Sequence, residues 1–382
     1  MTTPLYEKIY EYIINQIKQG HLIEGDRVPS EKDLAEEFDV SRITSKKALD
    51  LLAQNRFIER IRGKGSFVAI QQQEKKNQPS NVTQNSTLSN SKLIALIIPD
   101  FDNAFGLSLV KTIEKTCLQN NCNLIIRRTG GHIKEEQNAI IDLVNSGVDG
   151  FIIFPVHGEH YNTELLKLVL NDFPLVLVDR WLKGIPASSV CTNNLSASET
   201  LTNYLFTLGH KEMAFLSPSP NGTSTIEERL RGFQIAYSKQ GQKMNPNFLL
   251  MDLISSLPQN FNDDHAENTR QTDFQAIKCF IENNPEVTAF IVCEYYLALS
   301  LKDVLYKLGK KIPEDYSIAC FDCPEDRFEQ PIFTHIQQHE EEMGNMAVHL
   351  LMKQLRGEMI PKHTVTDFTL IEGKSTAPIH QS

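Results

Sequence analysis

The sequence lacks any apolar run that approaches the ~20 residues of a membrane-spanning helix. Its first 20 residues, MTTPLYEKIYEYIINQIKQG, are amphipathic and have no apolar centre of the kind found in a signal peptide. At 382 residues, of which 41% are hydrophobic, the chain is long enough for two or three domains with cores of their own. We therefore expect a soluble, cytoplasmic protein with no membrane partner.

Cysteine is scarce and poorly arranged for metal binding. The seven cysteines are scattered, and only Cys320 and Cys323 have CxxC spacing, without a second CxxC or a nearby Cys/His pair. A structural zinc site needs four ligands. We interpret these two residues as buried, reduced thiols at the end of a strand, and we predict no metal site.

Motifs for catalysis are also missing. The chain has no GxSxG nucleophile motif and no GxxxxGK phosphate-binding loop. Its 11 histidines are dispersed, and the closest candidates, His157 and His160, are expected in a loop without ligand spacing. The sequence therefore predicts a protein that is not an enzyme, with no catalytic residue and no cofactor.

The chain has fewer basic than acidic residues, and its net charge is −10 at pH 7. Its distribution is uneven, however. Residues 40–64 contain seven basic and two acidic residues, whereas residues 7–39 contain four basic and nine acidic ones. A small basic segment on an acidic chain is typical of a protein that binds DNA locally.

A polar stretch divides the chain. Residues 71–91, QQQEKKNQPSNVTQNSTLSNS, contain only two sizeable apolar residues, Val82 and Leu88. Such a segment cannot bury a core, and we interpret it as a linker. The predicted domains are a head at 1–70 and a body at 92–382.

The head is predicted to contain three helices and a β-hairpin. Ser30 and Asp33 have the spacing of a capping box at the start of the second helix. FIERI and SFVAI are predicted strands, joined by Arg62-Gly63-Lys64-Gly65 at the hairpin tip. This order of elements is that of a winged helix-turn-helix, an α+β fold.

The third helix begins in VSRITSKKALDLL at residues 40–52, where Ser41 is placed to cap the first turn. At about 100° per residue, the helix has two different faces. An inner face is predicted from Thr44, Ala48, Leu51 and Leu52, and an outer face from Arg42, Ile43, Lys46 and Lys47.

The head resembles the DNA-binding domain of the GntR (gluconate-repressor) family. The resemblance spans nearly the whole head, and its markers are Pro29-Ser30-Glu31, Leu34-Ala35, Val40-Ser41-Arg42-x-Thr44, Ala48-Leu49 and Gly63-x-Gly65-Ser66-Phe67-Val68. One departure is Lys46, where the family usually has arginine. Lysine neutralises a phosphate but cannot make a bidentate contact with a base.

The predicted DNA contacts follow from the helix ends and the wing. Arg42 and Lys46 can reach the major groove, Lys32 can meet the flanking phosphates, and the glycines of the hairpin let the wing approach the minor groove. The predicted DNA-binding residues are Lys32, Ser41, Arg42, Ile43, Thr44, Lys46, Lys47, Arg62, Gly63, Lys64 and Gly65.

The body alternates apolar strands with amphipathic helices. Seven short, almost entirely apolar runs lie at 93–99, 122–128, 149–155, 174–180, 212–217, 288–293 and 316–322. Such runs suit parallel strands that are covered on both faces. Repeated βαβ units over this length predict an α/β body with two doubly wound parallel sheets, and a ligand cleft at the carboxyl ends of the strands.

The body resembles the effector domain of the lactose/galactose-repressor family, which is itself similar to periplasmic sugar-binding proteins. The resemblance covers roughly 92–376, and the motifs that carry it are Asn103-x-Phe105, Val148 to Ile153, Asp179-Arg180, Leu208-Gly209-His210, Arg229-x-x-Gly232-Phe233, Ile312 to Asp315, Phe321-Asp322 and Pro331 to Gln338. A GntR head on this body is similar to the arabinose-repressor type of bacterial regulator.

The resemblance implies a ligand between two lobes that are joined by three crossing segments. The implied ligand-binding residues are Phe105, Phe154, Asp179, Arg229, Glu294, Asp322 and Gln338. Other interpretations stay open: Asp322 could cap a turn, Arg229 could form a surface ion pair, and the two phenylalanines could be core residues. The family usually has Asn-Asp where this chain has Glu294-Tyr295, and glycine where it has Cys320, so the pocket should accept a different ligand.

We therefore predict a ligand-controlled transcriptional repressor that binds double-stranded operator DNA as a homodimer and senses a small molecule, a sugar or sugar derivative. The alternative from another class is a GntR regulator with a pyridoxal-phosphate-dependent, aminotransferase-like body, which needs a Schiff-base lysine in a suitable setting. A second alternative is a carbohydrate sensor whose head no longer binds DNA.

Overall fold

The computed structural model describes residues 5–18, 21–23, 25–54, 57–61, 65–68, 91–158, 162–261, 266–324 and 329–379. The chain divides into two units, Met1–Thr87 and Leu88–Ser382. The predicted linker at 71–91 lies outside the described residues except for Ser91. Within the described ranges, no helix combines the length and the apolar character needed to cross a bilayer.

The first unit is a winged helix-turn-helix. Its helices are α1 (Leu5–Lys18), α2 (Glu31–Glu37) and α3 (Arg42–Gln54), and its strands are β1 (Arg27–Val28), β2 (Ile58–Ile61) and β3 (Gly65–Val68). The strands form an antiparallel sheet in the order β1-β3-β2. The two-residue strand β1 is an addition to the predicted hairpin. A core of Ile9, Ile13, Leu34, Leu49 and Leu52 holds the helices together.

The second unit contains two six-stranded sheets. The first has the strands β4 (Lys92–Ile98), β5 (Cys122–Arg128), β6 (Gly150–Ile153), β7 (Leu175–Val178), β8 (Ser188–Thr192) and β14 (His363–Thr366); the second has β9 (Met213–Leu216), β10 (Leu249–Leu250), β11 (Ala289–Val292), β12 (Ser317–Phe321), β13 (Thr334–Gln338) and β15 (Phe368–Ile371). The strand orders are β14-β8-β7-β6-β4-β5 and β10-β9-β11-β12-β13-β15.

Helices cover both faces of each sheet. They are α4 (Leu107–Gln119), α5 (Ile133–Asn145), α6 (Thr163–Leu170), α7 (Asn194–Thr207), α8 (Ser224–Lys239), α9 (Ala266–Asn283), α10 (Tyr295–Lys307) and α11 (Glu340–Leu355), with short 3₁₀ turns at Pro246–Phe248 and Pro258–Asn260. In the first lobe, α4 and α11 pack on one face and α5 and α6 on the other. In the second lobe, α9 and α10 lie opposite α7 and α8. The predicted doubly wound architecture is confirmed.

All strand pairs in the first sheet are parallel. The second sheet departs from the prediction at one edge, where β15 runs antiparallel to β13. Because β15 follows the last crossing between the lobes, it enters its sheet from the cleft side and runs in the opposite direction to its neighbour.

In the described part of the second unit, the chain crosses between the lobes three times, each time through one residue. Asn193 links β8 to α7, His339 links β13 to α11, and Asp367 links β14 to β15. The crossings lie side by side, because the backbone N–H of Asn193 donates to Thr366 O at 3.2 Å and the His339 ring lies 2.8 Å from the Thr369 hydroxyl. Three short parallel connections form a hinge that lets the lobes rotate while each sheet stays intact.

Candidate functional site

A cleft lies between the two lobes of the second unit, at the carboxyl ends of the strands. It has a volume of about 140 Å³. All seven residues predicted to bind the ligand line this cleft: Phe105, Phe154, Asp179, Arg229, Glu294, Asp322 and Gln338. The fold therefore brings together residues that are up to 233 positions apart in the sequence.

Two aspartates occupy equivalent positions in the two lobes. Asp179 follows β7 and Asp322 follows β12, and both have left-handed backbones, with φ of 64° and 62°. In each lobe the backbone N–H of the aspartate donates to a carbonyl of the neighbouring strand at 2.9 Å. Asp179 donates to Val190 O, and Asp322 donates to Ile336 O. Aspartate tolerates this conformation better than most residues, and such strained positions cluster at functional sites. Each carboxylate is thereby directed into the cleft.

Arg229, on α8, is buried within the second unit, and the alternative of a surface ion pair is wrong. Its Nε donates to Asn194 Oδ1 at 2.8 Å and its Nη1 donates to Cys293 O at 2.7 Å. The guanidinium lies over the ring of Phe321, 3.8 Å from the centroid. These contacts fix the plane of the guanidinium and leave one edge for a ligand in the cleft.

The opposite wall contains Arg180, a residue missing from the predicted site. Its Nη1 donates to Pro155 O at 3.1 Å, and its Nε lies 3.4 Å from Asp179 Oδ2. The guanidinium covers the ring of Phe154 at 4.9 Å from the centroid. Its position directly after Asp179 at the end of β7 was the sequence signal that could have identified it.

Phe105 and Phe154 make an edge-to-face pair, with ring centroids 6.1 Å apart. Phe154 belongs to the core of the first lobe and Phe105 packs against that core, while both rings also line the cleft. The core and the ligand-binding interpretations are therefore compatible. The two rings form an apolar wall of the kind that receives the apolar face of a ligand.

Asp322 is connected to the hinge through Gln338. The Gln338 Nε2 donates to Asp322 Oδ2 at 2.8 Å, while Gln338 Oε1 is buried and has no hydrogen-bond partner among the described residues. Burial raises the pKa of Asp322 to about 8. Burial also raises the pKa values of Asp179 and Glu294 above their usual range.

The two lobes are in contact beside the cleft. Tyr296, on α10, donates from its phenol oxygen to Asp102 Oδ2 of the first lobe at 2.8 Å. Trp181 of the first lobe donates from its backbone N–H to Ser224 Oγ at 3.0 Å and from Nε1 to Glu228 Oε1 at 3.1 Å. Neither Tyr296 nor Trp181 was predicted, because no local pattern marks a contact that exists only when the lobes close.

The candidate DNA-binding face lies in the first unit. Arg42, Ile43, Lys46 and Lys47 are all exposed on α3, and 80% of Ile43 is accessible. Ser41 caps the helix as its position predicts, because Ser41 Oγ accepts a hydrogen bond from the Thr44 N–H at 3.2 Å. An uncovered basic face at a capped helix N-terminus can bind phosphate and enter a DNA groove.

The inner face of α3 is rotated from the predicted one. Ala48 and Leu52 are buried, as predicted, but Thr44 and Leu51 are only partly buried. Ser45 and Leu49 complete the buried face. Ser45 Oγ donates to Glu31 O of α2 at 2.7 Å, so a polar residue occupies the helix–helix interface without an unsatisfied hydroxyl.

The remaining predicted DNA contacts have different surroundings. Lys32 is exposed and lies 3.7 Å from Glu36, a pair that water screens strongly. Lys47 Nζ lies 4.1 Å from the centre of the Tyr6 ring. Gly65 begins β3 with φ of 118°. Arg62, Gly63 and Lys64 lie outside the described residues.

Arg60 has a structural role that its charge did not reveal. Its two terminal nitrogens donate to Glu31 of α2 and to Asp50 of α3. The guanidinium thus joins the wing to both helices of the helix-turn-helix. Arg60 is therefore committed to contacts within the unit.

No metal centre is formed by the described residues, which contain no group of three or more His, Cys, Asp or Glu side chains placed to hold an ion. Cys320 and Cys323 are free and buried. Burial raises the pKa of each thiol, which keeps both in the protonated, unreactive form.

A winged helix-turn-helix followed by a two-lobed α/β unit with an interlobe cleft defines a transcription regulator with a sensor domain. The comparisons with known proteins agree. The model described as bacterial regulatory proteins, gntR family, matches residues 5–68, and the model described as periplasmic binding protein-like domain matches residues 202–376.

The similar proteins include two repressors and one solved structure. The arabinose metabolism transcriptional repressor of Halalkalibacterium halodurans is 23% identical over 360 residues, covering 92% of this chain and 90% of that protein. The ribose operon repressor of Haemophilus influenzae is 25% identical over 283 residues, covering 73% and 79%. A LacI family transcriptional regulator from Enterococcus faecium, crystallised with bound ribose, is 23% identical with a TM-score of 0.61, covering 76% of this chain and 100% of that one.

The chain is a transcriptional regulator with a gntR-family DNA-binding domain and a periplasmic-binding-protein-like domain. The predicted resemblance and the predicted fold class are confirmed. The body matches the periplasmic binding protein-like model and has the fold of the LacI-family regulators, which does not support the aminotransferase-like alternative.

Proposed function

We propose that this protein is a cytoplasmic repressor that binds operator DNA as a homodimer through α3 and the wing, and that a small polyhydroxylated ligand in the interlobe cleft controls this binding. The observation that carries the proposal is the lining of the cleft. Carboxylates from both lobes, two guanidiniums and an apolar wall of phenylalanines surround the space between the lobes. Directed acceptors beside an aromatic face suit a sugar.

The predicted residues receive specific roles in this proposal. Arg42 and Lys46 contact the major groove, next to the other predicted residues of this helix end, Ser41, Ile43, Thr44 and Lys47. Lys32 contacts the flanking DNA phosphates. Residues 62–65 approach the minor groove. In the cleft, Asp179 and Asp322 accept hydrogen bonds from hydroxyls on opposite sides of the sugar, and Arg229 donates to its oxygens. Phe105 and Phe154 cover the apolar face of the sugar. Glu294 and Gln338 complete the acceptor set.

The ligand acts by stabilising the closed lobes. Closure moves the lobes about Asn193, His339 and Asp367, and in a dimer this motion changes the spacing of the two DNA-binding heads. The relatives named for sugar operons, and the regulator with bound ribose, support a sugar as the ligand. The change in DNA affinity cannot exceed the difference between the ligand's affinities for the two states.

The test uses the full-length chain and a duplex selected from random sequences. Gel-shift titrations should show saturable binding to the selected duplex, and Arg42→Glu should weaken it by more than about tenfold. Lys8→Glu on α1 is the matched charge reversal within the head and should change the affinity much less. The proposal is wrong if no duplex is selected, or if neutral, amino and phosphorylated sugars all leave both DNA binding and the melting temperature unchanged.

A further inference from the structure

The N-terminus of α4 is capped by a residue from another helix. Gly106 immediately precedes α4 and has no side chain with which to cap it. Glycine is required there, because the backbone is left-handed, with φ of 93°, and a Cβ would lie 2.8 Å from Phe101 Cβ. The cap is Glu340 Oε2, which accepts from the N–H groups of Gly106 at 2.8 Å and Leu109 at 3.0 Å. A carboxylate here pairs with free N–H groups and interacts favourably with the helix dipole.

Glu340 is the first residue of the first lobe after the crossing at His339, and it begins α11. On the other side of His339, Gln338 ends β13 and donates to Asp322 Oδ2 at 2.8 Å. Glu340 holds the start of α4, and Phe105 lies just before that start. Three consecutive residues, 338–340, therefore connect the wall of the cleft that contains Asp322 to the wall that contains Phe105.

The helices α4 and α11 are packed closely enough to move together. A Cβ at Gly344 of α11 would lie 3.2 Å from both Leu109 O and Thr112 Cβ of α4. Further along the pair, the Thr116 hydroxyl donates to Asn345 Oδ1 at 2.6 Å. Because a close-packed interface transmits displacement, a rotation of α11 about the crossing moves α4 with it.

The turn before α4 contains a residue of the ligand-binding wall and a contact between the lobes. The Asp102 N–H donates to Phe105 O at 3.0 Å, and the Leu107 N–H donates to Asp102 O at 3.2 Å. Asp102 Oδ2 also accepts from the hydroxyl of Tyr296 in the second lobe. By fixing the start of α4, Glu340 sets where this turn lies relative to the hinge.

We propose that Glu340 is a positioning residue that connects the hinge to the ligand-binding wall, so that a ligand in the cleft moves α4 and α11 when the lobes close. This inference rests on the proposed function and assigns a residue through which the ligand controls DNA binding. Glu340 is not one of the described residues that line the cleft. Without its carboxylate, the turn that contains Phe105 loses its connection to the crossing, and ligand binding is separated from the movement of the helices.

The experiment compares the DNA affinity of the full-length protein with and without sugar. The compounds are L-arabinose, D-ribose, D-glucose and D-galactose, with the amino and phosphorylated derivatives of the last two, and calorimetry identifies those that bind. Anisotropy titrations with the selected duplex are then made at a saturating concentration of the tightest binder. This compound should change the DNA affinity of the parent protein by about fivefold or more, as in typical allosteric coupling. In Glu340→Ala the change should be less than about twofold, although the compound still binds.

Two variants separate this role from a general loss of structure. Glu340→Gln keeps an oxygen that accepts from the N–H groups of Gly106 and Leu109, and it should retain most of the change in DNA affinity. Glu341→Ala, an exposed substitution at the next position of α11, is the matched control and should behave as the parent protein does. All titrations are made well below the melting temperature of each variant, so that lower stability alone does not alter the ratio of the two DNA affinities.

The inference is overturned if the compound changes the DNA affinity of Glu340→Ala as much as that of the parent protein, and the proposed function then stands without it. Loss of compound binding in Glu340→Ala would also overturn it, because Glu340 would then only shape the cleft. Equal losses in Glu340→Gln or Glu341→Ala would do the same. If no compound binds the parent protein or alters its DNA affinity, the inference and the sensor half of the proposed function both fail.

Discussion

The hydroxyl of Tyr296 donates to Asp102 Oδ2 at 2.8 Å and joins the second lobe to the first at the mouth of the cleft. Asp102 is itself held in place, because its Oδ1 accepts from the N–H groups of Ala104 at 2.6 Å and Phe105 at 3.3 Å. The Tyr296 ring is held by edge-to-face contacts with Phe261 and Tyr295. Each partner is thus held by contacts within its own lobe, and the bond acts as a latch between the two lobes.

Tyr296→Phe should weaken the latch while the ring packing is preserved. A hydrogen bond of this kind contributes about 1 kcal/mol, so the open state should gain population and the ligand affinity should fall about fivefold. Calorimetry with the ligand of the cleft measures the affinity, and small-angle scattering of the ligand-free protein measures the opening. Tyr306→Phe, on the exposed side of the same helix, should change neither quantity.

Ser45 determines how α3 packs on α2. Its hydroxyl is fully buried and donates to Glu31 O at 2.7 Å. Ser45→Ala removes this hydrogen bond, which should cost about 1 kcal/mol in the stability of the head, and DNA affinity should fall with it. Thermal unfolding of the full chain and anisotropy titrations with labelled duplex measure the two effects. Unchanged values of both would show that the packing of the other core residues is sufficient.

The apolar strands and the amphipathic helices could be predicted from the sequence, because their burial follows from local composition. The run at 122–128 coincides with β5 (Cys122–Arg128), and the run at 316–322 contains β12. Strands β8 and β13, with the sequences SSVCT and THIQQ, were missed. They are buried only because other segments cover them, and their polar side chains find partners far away in sequence, such as Thr334 Oγ1 on Thr376 Oγ1 at 2.7 Å.

The cleft could be located from the sequence through residues that follow strands, such as Asp179 and Asp322. Parallel strands place their carboxyl ends at one edge, so polar residues at these ends must meet. Arg180 was overlooked although it directly follows Asp179. Tyr296 was not identified, since its position in the cleft depends on the relative orientation of the two lobes. That orientation results from contacts between distant segments, which no local period in the sequence reports.

Gly232 is required for the close approach of α7 and α8. A Cβ at this position would lie 2.3 Å from Leu195 O and 2.9 Å from Ser198 Cβ. Gly232→Ala should therefore force the helices apart and destabilise the second unit by about 1–3 kcal/mol or more, with a lower melting temperature by calorimetry. Ser238→Ala, exposed on the same helix, should stay within about 0.5 kcal/mol of the parent protein. A stable Gly232→Ala protein would contradict the observed spacing.

Asp322 should make the stability of the ligand-free protein depend on pH. Burial raises its pKa in the folded state from 3.8 to about 8. Between these values the folded protein binds more protons than the unfolded chain, so the free energy of unfolding decreases as the pH rises. The stabilisation is complete below about pH 4 and is lost as the pH passes about 8.

Asp322→Asn removes this titration and keeps an oxygen that can accept from Gln338 Nε2. From about pH 5 to about pH 8, the melting temperature of the parent protein should therefore fall more steeply than that of the variant. Asp172→Asn is the matched control, because Asp172 has a similar left-handed backbone, with φ of 51°, but is exposed. Its pH profile should parallel that of the parent protein. Parallel profiles for Asp322→Asn as well would mean that the Asp322 carboxyl titrates in the folded protein as it does in water.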